Sequence, residues 1–139
     1  MEEQKIDKQI TGISGEFFVA AELAKRNFQV ALTIGNAKSV DLFATNITSG
    51  KIFEIEVKTL RKSPNCFSLK TTRISPEKIF IFVYLNSVDK SPDYFILTGK
   101  ELLSDMTKFY GKSLGRLDGR ETINHGPLQM HKNLWEKLN

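Results

Sequence analysis

The sequence predicts an α/β fold, a central mixed β-sheet flanked by helices, and three features of its hydrophobic pattern carry that prediction. Residues 10–26 place apolar side chains at helical spacing. Two apolar runs, 40–44 and 52–58, flank the turn-forming segment Ile47-Thr48-Ser49-Gly50, as the arms of a hairpin do. Residues 79–85 are almost uninterrupted hydrophobes, the pattern of a strand covered on both faces.

Taken in order, the first helix sets Ile13, Phe17, Ala20, Ala21 and Ala24 on one face, read as the core face, and Asn27 ends it. Residues 28–34 read as a strand and 35–39 as a loop. In the hairpin, Val40 opposite Val57, Leu42 opposite Ile55 and Ala44 opposite Phe53 gather three apolar pairs on one face. A slip of one residue would bury charges and expose hydrophobes, so this register is strongly specified. A break at 61–65 precedes a short strand at 67–70 and one helical turn at 75–78, with Pro76 near its start. A strand at 94–97 follows the polar turn 89–93. A helix over 99–110, a glycine-rich basic loop at 111–119 and a terminal helix over 133–138 complete the chain. The last can dock Leu134, Trp135 and Leu138. One domain of 139 residues is expected, long enough for a real core.

Composition excludes several classes. No stretch of about 18 apolar residues occurs, so no membrane span is expected. The polar, acidic start Met1-Glu2-Glu3-Gln4-Lys5 argues against a signal peptide. One cysteine, Cys66, excludes an internal disulfide and suits a reducing cytoplasm. It reads as a loop or edge thiol without chemistry. The net charge of +4 tilts the chain mildly toward polyanions.

The chemistry concentrates in the hairpin. Strand alternation sends Glu54, Glu56 and Lys58 to one face and Phe53, Ile55 and Val57 to the other. The same register sets Asp41 opposite Glu56, with β-carbons about 4.5–5.5 Å apart. Carboxylates that close repel unless a cation sits between them. Two acids and an adjacent ammonium can hold a divalent metal and activate water on a phosphodiester.

The ordered set Gly12-x-x-Gly15-Glu16, Asp41-Leu42-Phe43-Ala44 and Glu56-Val57-Lys58-Thr59 resembles the PD-(D/E)XK nuclease superfamily, the restriction-endonuclease-like fold, and within it the resolvase-like branches. The likeness covers about residues 12–60. Val40 stands where the family name has proline. The interval 61–78, with Pro64 and Pro76, leaves room for little more than a turn where the family usually has a longer helix.

The resemblance implies a metal-dependent nuclease that hydrolyses DNA phosphodiester bonds with Mg2+ or Mn2+. The alternative is a catalytically inactive module of that fold, binding nucleic acid or a protein partner. Asp41 and Glu56 would be metal ligands, and the Val57 carbonyl a third. Glu16 is either an auxiliary ligand or an acid that favours the helix macrodipole. Lys58 either orients or deprotonates the attacking water and stabilises the transition state, or serves only as an ion-pair partner of Glu56. Glu54 reads as a spectator.

Lys38, Ser39, Thr59, Arg61 and Lys62 flank this set and are expected to hold backbone phosphates. Lys70, Arg73, Lys112, Arg116 and Arg120 are further cations whose meaning depends on clustering in space. His125 and His131 lack metal-ligand spacing and read as structural. DNA is the expected partner, and a homodimer is expected because so small a subunit grips a duplex poorly.

Overall fold

The computed structural model describes residues 7–33 and 40–139. The expectations for Met1–Lys5, for the 35–39 loop and for Lys38 and Ser39 lie outside the described residues. The chain runs α1 (Lys8–Lys25), β1 (Phe28–Leu32), β2 (Leu42–Asn46), β3 (Ile52–Leu60), β4 (Phe67–Ser68), β5 (Ile79–Tyr84) and β6 (Asp93–Thr98). Then come α2 (Gly99–Ser104), α3 (Met106–Tyr110), β7 (Thr122–Ile123) and α4 (His125–Leu128). No helix among the described residues is long and apolar enough to cross a membrane.

Asp7 opens α1 by accepting the Gln9 N–H at 2.8 Å, and Asn27, at φ 69°, closes it in the left-handed conformation that asparagine tolerates. The helix is where the sequence placed it, but it is turned about its axis. Its buried stripe is Thr11, Gly15, Val19 and Leu23, whereas Ile13 and Phe17 are 42% and 57% exposed. The cause is Gly15. A Cβ there would lie 1.8 Å from Thr59 Oγ1, so the helix backbone rests directly on β3 along its narrowest face. Close backbone approach outweighs the bulkier apolar stripe.

Among the described residues the main sheet has the order β1-β2-β3-β5-β6. β1, β2 and β3 form an antiparallel meander, β5 lies parallel to β3, and β6 returns antiparallel to β5. All six residues of β5 are buried, as a strand covered on both faces requires. Its alternation divides the core. Ile79, Ile81 and Val83 join Val19 and Leu23 of α1, while Phe80, Phe82 and Tyr84 join Phe67, Phe109 and Tyr110 on the other side.

The hairpin pairs Leu42 with Ile55 and Ala44 with Phe53, the register its hydrophobes dictate. The ladder ends there. The expected Val40–Val57 and Asp41–Glu56 pairs are replaced by a split between the strands, which the Asp41 side chain enters.

The second half departs more. Residues 61–78 carry β4 and a 3-10 turn, Thr71–Arg73, but no α-helix, in keeping with the short interval. The expected helical turn at 75–78 is a hydrogen-bonded turn, Lys78 N–H to Ser75 O at 3.2 Å. The helix expected over 99–110 is two helices, broken at Asp105, whose side chain caps α3. β7, which pairs with β4, has no counterpart in the sequence reading. The terminal segment docks as expected, with Trp135 and Leu138 buried in a 3-10 helix.

Candidate active site

The contact of Gly15 with Thr59 fixes where the next residue goes. Glu16 is brought close enough to Asp41 for the two carboxyls to act on each other. Burial first, then the neighbouring Asp41, pushes Glu16 up from 4.5 to about 7. The raised value favours a neutral Glu16 beside Asp41 over two facing carboxylates. Asp41 is held from the sheet side: its Oδ2 accepts the Val57 N–H at 2.8 Å, and its own N–H reaches Ile55 O at 2.9 Å. A strand residue presents its N–H and C=O on the same edge, so the Val57 carbonyl opens into the same split.

Glu56 and Lys58 lie in register with Phe80 and Phe82, on the sheet face away from α1. Glu56 is only 5% exposed; its Oε1 is 3.3 Å from Lys58 Nζ, and its Oε2 is buried with no hydrogen-bond partner. A buried carboxylate oxygen left without a donor is costly, and a hard cation would satisfy it. Among the described residues no group of three or more His, Cys, Asp or Glu side chains is placed to hold a metal ion. The acids occur instead as the Glu16–Asp41 pair and, one strand position away, Glu56 with its ammonium. Glu54 is exposed, across from Phe43.

The flanking candidates disperse. The Thr59 hydroxyl is buried against Gly15 without a partner, facing α1 rather than the Lys58 side. Arg61 donates from Nε to Thr11 Oγ1 at 2.8 Å. With exposed Lys62 and Lys90 and half-buried Asp93 it lines a groove that shares no residue with the one beside Lys58. His125 Nδ1 sits 3.1 Å from the Tyr84 hydroxyl, and His131 Nδ1 lies 2.8 Å from Lys137 Nζ. Burial, then the Lys137 charge, lowers the His131 pKa. Both histidines hold the fold, and Cys66 is an exposed thiol.

Sequence reasoning missed a groove beside Lys58 that gathers Lys70, Arg73 and Arg120. Those residues meet through the β4–β7 pairing, and two-residue strands leave no readable period.

Sheet order, the parallel β3–β5 step and the flanking helices define a mixed α/β fold. Among solved structures the chain is similar to a bacterial homing endonuclease, I-Ssp6803I, with a TM-score of 0.65 and 14% identity. The match covers 96% of this chain and 92% of that one. No protein-family model matches the chain, and no curated protein does.

Proposed function

We propose that this chain is a divalent-metal-dependent nuclease of the PD-(D/E)XK type that hydrolyses DNA phosphodiester bonds. The observation that carries the reading is the Glu16–Asp41 carboxyl pair at the split between β2 and β3, one residue from the Glu56–Lys58 pair. Its setting, a fold shared with a homing endonuclease, supports the same reading.

Asp41, Glu56 and the Val57 carbonyl would hold Mg2+ or Mn2+, with Glu16 as an auxiliary ligand. All are hard oxygen donors, and the unpartnered Oε2 of Glu56 suits such an ion. When bound, the metal supplies Lewis acidity toward a phosphate oxygen and makes water a better nucleophile. The Val57 N–H keeps Asp41 aimed into the split. Lys58, anchored by Glu56 and about a third exposed, can offer its ammonium to the charge that develops on the phosphate.

A second reading, a non-catalytic nuclease-fold module, draws on one observation. Glu56 and Lys58 already satisfy each other in part, and no three-acid cluster forms among the described residues.

A cleavage assay separates the two readings. Linear, nicked and branched DNA are incubated with Mg2+ or Mn2+ and with wild type, Asp41→Asn and Lys58→Ala. Cleavage that both substitutions abolish is expected; activity surviving both would show that the site is elsewhere.

A further inference from the structure

The groove beside Lys58, about 520 Å³ in volume, brings four cations together from three separate stretches of chain. Lys58 comes from β3, Lys70 and Arg73 from the segment around the 3-10 turn after β4, and Arg120 from the approach to β7. Lys58 is paired with Glu56, but Lys70, Arg73 and Arg120 are exposed, and like charges gathered this way repel one another. Among the described residues none of Lys70, Arg73 and Arg120 has an acidic partner.

The lining contains one carboxylate, Glu121, and it is spoken for. Buried, it accepts from the Thr71 N–H and Gly115 N–H at 3.0 Å each, and from the Thr71 hydroxyl. Its backbone carbonyl also takes the Leu69 N–H at 3.2 Å. Glu121 thus acts as a clasp that fixes both walls rather than as a counter-charge. Gly119, at φ +75°, completes the arrangement. Its missing side chain leaves room for Lys70, whose Nζ would be 3.4 Å from a Cβ there. The walls are built, and what they display is positive.

A rigid concave surface with several unpaired cations fits a polyanion of regular charge spacing. Continuity with Lys58 narrows the choice. Given the nuclease reading above, on which this inference rests, we propose that this groove carries the DNA phosphate backbone away from the scissile bond, with Lys70, Arg73 and Arg120 as phosphate contacts. These residues set affinity and register on the strand, not base sequence. They take the part that sequence reasoning gave to Thr59, Arg61 and Lys62.

The test is equilibrium binding without divalent metal, by fluorescence anisotropy of a labelled duplex in EDTA over a range of KCl. Wild type is compared with Lys70→Ala/Arg73→Ala/Arg120→Ala and with a control of equal charge change, Lys25→Ala/Lys90→Ala/Lys100→Ala. Loss of three phosphate contacts should flatten the slope of log K against log salt by about 2.7 and weaken binding at 0.1 M KCl at least tenfold. The control should keep the wild-type slope, and both variants the wild-type melting temperature. Equal slopes for the groove variant and wild type, or no binding by wild type, would overturn the proposal. Cleavage with Mg2+ is read separately. A wild type that binds through the groove yet never cuts DNA sinks the nuclease reading and leaves the groove standing. One that cuts with the groove residues removed and binding unchanged does the reverse.

Discussion

Gly15 lies so close over Thr59 that a single added methyl carbon would meet Oγ1 at 1.8 Å and the threonine Cβ at 2.7 Å. This contact seats α1 and aims Glu16 at Asp41, so packing and site chemistry share one cause. Gly15→Ala should lift the helix and cost about 1–3 kcal/mol, despite the better helix propensity of alanine. Thr59→Ala removes Oγ1 and Cγ2 but leaves Cβ, so the double variant should recover only part of the loss. Urea unfolding of the two single variants and the double one checks this. Additive effects would mean that the two residues do not bear on each other.

The Glu16–Asp41 pair predicts a pH dependence with a definite sign. Glu16 binds its proton more tightly in the folded chain, at about 7, than at its ordinary value of 4.5. The folded state therefore takes up a proton between those values. The stability this group lends is fully present below 4.5 and declines as pH rises toward 7. Solvent exposure of the carboxyl keeps the effect below what the full shift would give. Glu16→Gln keeps a neutral donor facing Asp41 at every pH. In EDTA it should raise the melting temperature at pH 8 relative to wild type and leave it nearly unchanged at pH 5. An equal change at both pH values would show that Glu16 does not take up a proton on folding.

The Glu56–Lys58 pair is asymmetric, with the carboxylate buried and the ammonium about a third exposed. Lys58→Met strips the carboxylate of its cation and should cost about 1–3 kcal/mol in metal-free protein, less than a fully buried pair because Lys58 reaches water. Glu56→Leu/Lys58→Met removes both charges from a site bordered by Phe80 and Phe82 and should recover most of that loss. Adding Mg2+ should stabilise wild type and not the double variant, if Glu56 is a ligand. Differential scanning fluorimetry with and without Mg2+ reads both effects.

What the sequence made legible follows from the strength of each local signal. The Leu42–Ile55 and Ala44–Phe53 register was readable because a one-residue slip flips every side chain. β5 was readable because six consecutive buried residues have no other economical setting. The position of Asp41 was half readable. Its place beside the motif strand held, but its partner is Glu16 and the Val57 N–H rather than the Glu56 side chain across the ladder. Alternation predicts faces and cannot foresee a side chain that replaces a backbone acceptor. The basic groove was unreadable, since β4 and β7 bring together residues some fifty positions apart by two paired residues each.

The rotation of α1 gives a final, direct test. Apolar count alone chooses the stripe with Ile13 and Phe17, while the contact of Gly15 with β3 chooses Val19 and Leu23. The two choices predict opposite ranks for two substitutions. Leu23 is fully buried, so Leu23→Ala should cost about 2–5 kcal/mol through lost transfer energy and a cavity. Phe17 is 57% exposed, so Phe17→Ser should change stability by less than about 0.5 kcal/mol despite deleting a larger side chain. Chemical denaturation of dilute protein measures both without contributions from association. A costly Phe17→Ser beside a mild Leu23→Ala would mean that α1 meets the sheet through the other stripe. The placement of Glu16 beside Asp41 would then fall with it.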